Sequence, residues 1–374
     1  MKKGYYIHFQ GRESIGVSKK IDMQLAEFKK HFQIKELEVA TPQRSILERI
    51  IGLWPTASIK RNYQAALNQL ESPDFIYVRR TVADKEYVAF WREIKKRFPD
   101  CKIIIEIYTY PYDKDDFCKW NAWPFYFKEL IYRKQLKNYI DRFVTYTDDK
   151  KIFDVPTICT TNGIICENIK EIEGEYQHDQ LHLLGVAYMQ RQHGYERVIE
   201  GLALYYRNEK MPIYKVYLHL VGDGPEKRKY QRLVRKKHLE KYVKFFPASN
   251  GDELDRHYNW ADITLAAFGM YKVNYKGPIG ALKTRECLAK GLPLISGSSI
   301  DILPIDFSYA LILANDKTPV DIKTVICFFE KIKENGHGKM EIAHILRKYA
   351  EQTVSMKIVM QPIEKYIEMK GKEI

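Results

Sequence analysis

The chain has 374 residues, 45% hydrophobic and 29% charged, which is enough for two domains with cores of their own. Its 61 Lys and Arg against 48 Asp and Glu leave a net charge of +13, suiting a phosphate-rich substrate or an anionic membrane. Zinc-finger spacing and an RRM signature are both missing, which argues against a nucleic-acid partner. No apolar run approaches the ~20 residues of a spanning helix, and the opening MKKGYYIHF reads as a strand, not a signal peptide. The 6 cysteines form no CxxC pair, so the expectation is a cytoplasmic protein with reduced thiols and no metal centre.

In chain order, short β-rich runs alternate with helical stretches, the mark of doubly wound α/β layers. The first half offers strands at 4–9, 34–39, 75–79, 102–108, 142–146 and 156–160, with helices at 17–31 and 82–97 between them. The second half repeats the scheme with strands at 181–187, 215–222, 243–246, 263–267, 292–296 and 310–313. Its helices are expected at 195–208, 226–238, 251–260 and 281–290, with a pair after Asp321. The polar stretch 167–180 reads as a linker. The fold class is therefore α/β, two Rossmann-like doubly wound domains facing across a cleft, the first over 1–166 and the second over 178–355.

Ligands of such sheets sit at the carboxyl ends of strands, and the polar and glycine residues gather there. Residues 276–280, KGPIG, lead into a helix on which Lys283 and Glu286 lie three apart and share a face. A glycine loop feeding a helix start suits a diphosphate, with the cation for phosphate and the carboxylate for sugar hydroxyls. GDGP at 222–225 follows an apolar strand and precedes a basic helix. Gly-Asp-Gly turns also close many strands without binding anything. The DKDD run at 113–116 reads as a solvated acidic loop, and neither half carries GxGxxG, which argues against a dehydrogenase.

KTRECLAKGLPLI (283–295), GDGP and LLGVAYMQRQHGYERVIEGLALY (183–205) together resemble the donor-domain signatures of GT-B glycosyltransferases, closest to the retaining family-4 group of polysaccharide and glycan biosynthesis. The resemblance implies transfer of a sugar from a nucleotide diphosphate donor, UDP- or GDP-sugar, to a glycan acceptor, with no cofactor or metal. It implies donor binding by Gly16, Gly222, Asp223, Gly224, Gly277, Gly280, Lys283 and Glu286, and catalytic stabilisation of the leaving diphosphate by Lys283, Arg191 and His193. Acceptor binding falls to His8, Tyr110, Tyr112 and Asp113, with core packing the alternative for the two tyrosines and for His8, and the last helix, within 356–374, would pack back on the first domain. One departure stands out: the family's second, earlier Glu is here Pro278. A non-catalytic partner that binds acceptor or stabilises an active transferase is the alternative, and a sugar-nucleotide epimerase a third.

Two stretches mix apolar and aromatic residues with Lys and Arg, SILERIIGLWPTASIKR at 45–61 and residues 120–142. They suit an interfacial element on anionic lipid, although amphipathic core helices look alike. The expectation is a peripheral protein at the inner face of the cell membrane acting on a lipid-linked acceptor. The oligomeric state is not legible.

Overall fold

The computed structural model describes residues 1–9, 15–43, 45–54, 56–113, 122–209, 211–334 and 337–369. The chain divides into two compact units, Met1–Asn162 with Met356–Ile374, and Gly163–Ser355.

The first unit carries β1 (Lys3–His8), β2 (Gln33–Glu38), β3 (Phe75–Arg79), β4 (Lys102–Ile107), β5 (Arg142–Thr145), β6 (Lys151–Ile152) and β7 (Val155–Cys159). They lie in the order β2-β1-β3-β4-β5-β7-β6. Pairing is parallel except for the β6–β7 hairpin. Runs such as FIYVR and KIIIEI are apolar on both faces, as strands covered on both sides must be. Ile76, Val78, Ile103 and Ile105 pack with Trp91 and Tyr87 of the helix Lys85–Arg97. That helix starts where Asp84 accepts the Tyr87 N–H at 2.8 Å, a side-chain N-cap.

The second unit carries β8 (Gln180–Val186), β9 (Lys215–Val221), β10 (Val243–Phe246), β11 (Ile263–Leu265), β12 (Leu294–Ser296) and β13 (Ala310–Ile312). Their order is β10-β9-β8-β11-β12-β13, all parallel. The winding reverses between β8 and β11, which places a ligand crevice at the carboxyl ends of those two strands. In the first unit the reversal falls between β1 and β3.

Each expected strand is present, most within two residues of its expected ends. The two-residue β6 escaped because its hairpin partner, not an apolar run, creates it. Helices at Ile46–Ile51, Tyr63–Asn68 and Trp123–Tyr132 were not foreseen, the first two being a turn and a half long and too short for a period to register. Three helices, not two, follow Asp321: Ile322–Glu334, Lys339–Thr353 and Met356–Glu368. The polar stretch read as a linker lies along the second unit instead. Ile172 is buried and its N–H donates to Lys290 O at 2.8 Å, while Ile169 and Tyr176 pack against the core. Three apolar residues among many polar ones suffice to hold that strand-free segment down.

Candidate functional site

A pocket of about 400 Å³ opens at the β8–β11 reversal of the second unit, lined by residues 186–188, Gln190, His193, Leu254, Tyr258, Ala281, Lys283 and Glu286. Three local structures build it. The chain leaving β8 turns through the 3-10 segment Arg191–His193 and ends on Gly194 at φ +59°. A side chain at Gly194 would meet the Gly269 backbone N at 2.5 Å, so only glycine fits there. The chain leaving β11 is stitched to this turn by Phe268 N–H to His193 O (2.9 Å) and Gly269 N–H to Gln192 O (3.0 Å). The helix Leu282–Lys290 then begins at the extended Ala281, with no side-chain cap and no acid in its first turn. Its N-terminal dipole end favours an anion.

Lys283 is set by its neighbours. Its Nζ donates to Tyr195 Oη (3.1 Å) and to Ala266 O (3.1 Å), just past β11. Burial pushes its pKa down to about 8. His193 accepts the Gln190 N–H on Nδ1 at 3.0 Å, which leaves the proton of the neutral ring on Nε2. Burial and then the charge of Lys283 hold His193 at about 3, so the ring stays neutral at physiological pH. Glu286, half-buried, lines the same pocket one helical turn from Lys283. A half-buried amine, a neutral imidazole donor, a carboxylate and a helix N-terminus can together hold a polyanion joined to a polyol.

The other sequence-derived residues fall in different places. Gly222 and Gly224 adopt φ of +129° and +132°, and a Cβ on them would lie 2.0 Å from Ala187 O and 2.5 Å from Met189 N. They therefore shape the site indirectly, letting the turn after β9 press on the loop after β8. Met189 N–H donates to Asp223 O (2.5 Å), and Asp223 Oδ1 accepts the Gly224 N–H at 2.8 Å. Arg191 heads the 3-10 turn, exposed and outside the pocket lining. Gly277 and Gly280 lead to the pocket wall at Ala281. Within KGPIG the expected run of open amides is interrupted: Pro278 has none, and Ile279 N–H donates to Ser299 O at 2.8 Å.

In the first unit, Gly16 is exposed near the start of the helix Ile15–His31. The rest of its loop, residues 10–14, lies outside the described residues, as do 114–116 of the acidic run. Two of the expected acceptor residues are turned inward, as the core-packing alternative has it. Tyr112 is 2% exposed and donates to Glu129 Oε1 at 2.7 Å, and His8 is buried with Nε2 2.9 Å from Glu36 Oε1. Both are drawn inward because a buried polar atom needs a partner, and each has found a carboxylate. Tyr110 is half-buried, and Asp113 accepts from Arg133 Nη1 at 2.5 Å.

Sequence reasoning missed Tyr195, Gln190 and Tyr258. Tyr195 is the hydroxyl that orients Lys283, and its position directly after His193-Gly194 was the available signal.

Residues 167–298 match the family model described as "Glycosyl transferases group 1". The match ends just beyond β12 and contains the whole pocket. No curated protein matches the chain in sequence. Solved structures do match in fold. The sucrose-phosphate synthase (tll1590) from Thermosynechococcus elongatus has a TM-score of 0.61 at 14% identity, covering 98% of both chains. A glycosyltransferase from Rickettsia africae ESF-5 gives 0.61 at 10% identity, also covering 98% of both. The lipopolysaccharide outer core galactosyltransferase WaaB, in its apo form, gives 0.57 at 13% identity, covering 98% of this chain and 99% of that one. Likeness at these identities establishes the fold, two Rossmann-like domains of the GT-B type.

Proposed function

We propose that the protein is a GT-B glycosyltransferase that binds a nucleotide diphosphate sugar in the second unit. The observation that carries this is Lys283. It is a half-buried amine held by Tyr195 and Ala266 at a helix N-terminus, facing the same pocket as Glu286. Burying a cation costs free energy unless an anion compensates, and a diphosphate at the β8–β11 reversal supplies that anion. Glu286 accepts hydroxyls of the nucleotide ribose. The family match over 167–298 supports the same reading.

In the transfer, the bond between the anomeric carbon and the β-phosphate oxygen breaks, and a bond to an acceptor hydroxyl forms. The acceptor's proton passes to the leaving phosphate. Lys283 and the Nε2–H of His193 stabilise the charge that develops on that phosphate. The retaining outcome, a UDP- or GDP-sugar as donor and a lipid-linked glycan as acceptor complete the proposal. Two segments of the first unit support a membrane setting. Ile46, Leu47, Ile50, Ile51, Leu53 and Trp54 are all exposed, as are Trp123, Phe127, Leu130 and Ile131, and Lys128 Nζ donates to Trp54 O between the segments.

Thermal shift of the purified chain against UDP- and GDP-sugars tests the donor site, because a ligand of the folded state must stabilise it. Lys283→Ala is expected to lower donor turnover by more than about tenfold. Pro278 in place of an acid and the committed Ile279 amide favour a second reading, a non-catalytic partner. Absence of any donor shift would decide for it.

A further inference from the structure

A second concavity, about 760 Å³, lies wholly in the first unit and belongs to none of the chemistry above. Its lining includes Ile51, Tyr63, Leu67 and Phe90 together with Lys60 and Arg61. One end continues into the exposed apolar segment 46–54. Arg61, on its wall, lies beside the β1–β3 reversal, the ligand end of this unit's sheet. There Arg61 Nη2 donates to Thr81 Oγ1 at 2.8 Å, two residues past β3, and the Arg61 guanidinium lies 5.3 Å from the ring of Phe9, one residue past β1.

The partners of Arg61 are all neutral. Nη1 donates to Tyr63 Oη at 2.8 Å and Nη2 to Thr81, and among the described residues no carboxylate lies within ion-pair distance of it. The acids of the groove are accounted for elsewhere. Glu93 accepts from Arg97 Nε at 2.8 Å, and Glu86 sits in the first turn of the helix Lys85–Arg97, where the dipole favours it. A half-buried guanidinium positioned by hydroxyls, with no carboxylate in direct contact, is a fork that can take an oxyanion.

We infer that this groove seats the acceptor as a phosphate carried on an apolar chain, the chain along Ile51, Leu67 and Phe90 and the phosphate on Arg61. A bulk membrane lipid needs only the exposed segment. A groove that shares Ile51 with that segment and Arg61 with the strand-end reversal suits a lipid that must be presented for chemistry. The inference rests on the transferase reading and deepens it by naming the acceptor class.

The test is calorimetric titration of the full chain, without donor, with farnesyl phosphate, dihexanoyl phosphatidylglycerol and inorganic phosphate. Farnesyl phosphate is expected to bind saturably. Arg61→Gln is expected to weaken it by about tenfold or more, the scale of a charge-assisted bond. Ile51→Ser, at an exposed position that leaves folding intact, is expected to weaken farnesyl phosphate several-fold and to leave inorganic phosphate unchanged. Lack of saturable binding, equal binding in wild type and both variants, or equal affinity for inorganic phosphate would overturn the site. Equal affinity for phosphatidylglycerol would overturn the acceptor assignment and make the groove a membrane-lipid seat. Donor thermal shifts on the same preparation are read separately. A donor response without farnesyl phosphate binding fails the groove alone, and the reverse fails the transferase reading alone.

Discussion

Lys283 illustrates how a single side chain acquires a functional character that its residue type does not carry. An exposed lysine ionises near 10.4, whereas burial brings Lys283 to about 8. Between that value and the unfolded one, the unfolded chain binds more protons, so this group makes folding more favourable as pH rises from about 8 to about 10.5. A bound diphosphate restores the charge and takes up a proton above pH 8. Donor affinity is therefore expected to fall, up to tenfold per unit, as pH rises past about 8, and Lys283→Ala should remove that dependence in a calorimetric titration. His193, neutral down to about 3, should contribute no inflection between pH 5 and 7. Glu106 is the structural counterpart in the first unit. Burial pushes its carboxyl up, yet the charges of Lys20 and Arg79 outweigh burial and hold it at about 2. Its stabilising contribution, about 3 kcal/mol, is present above pH 4.5 and lost as pH falls towards 2. Glu106→Gln is accordingly expected to cost about that much at pH 7 and less than half as much at pH 3, read from denaturant midpoints at the two pH values.

At the level of elements, the site is made by loops that press on one another at strand ends. The turn after β9 contributes no lining residue, but its two left-handed glycines let it support the loop after β8. This is why a motif can lie at the site without touching a ligand. The short helix Ile46–Ile51 is the reverse case, an element with little to bury. Its exposed isoleucines, with Trp123, Phe127, Leu130 and Ile131 of the segment 123–131, give a strongly cationic protein exposed apolar side chains, a combination suited to anionic bilayers. Sedimentation with phosphatidylglycerol vesicles is expected to carry the protein down at low salt. Ile50→Asp with Trp54→Asp should abolish that binding while leaving the melting temperature unchanged, since both positions are exposed.

On the scale of the whole molecule, two units with separate cores share one chain that leaves the first and returns to it. The returning helix Met356–Glu368 buries Met356, Val359, Met360, Ile363 and Ile367. It is tied down by Thr160 Oγ1 to Val359 O (2.6 Å) and by Lys102 Nζ to Tyr366 O (2.6 Å). Each of those side chains is worth roughly 1.5–3 kcal/mol of burial, and a domain's whole stability is only about 5–15 kcal/mol. Truncation after Ser355 is therefore expected to unfold the first unit while the second retains its melting transition and its response to donor, as differential calorimetry would show.

Much of this was legible from local pattern. The twelve expected strands are present because buried parallel strands need continuous apolar runs, a requirement that composition along the chain exposes directly. Lys283 and Glu286 were placed together because helical spacing is itself a geometry. What the tertiary structure alone decided was where side chains point and whom they meet. It buried Tyr112 and His8 against Glu129 and Glu36, far apart in sequence, and it spent the Ile279 amide on Ser299. It also brought Arg61, Thr81 and Phe9 to one sheet edge. Strand and helix propensity act over a few neighbours, whereas burial, hydrogen-bond partnership and charge balance depend on contacts that exist only once the chain has closed on itself.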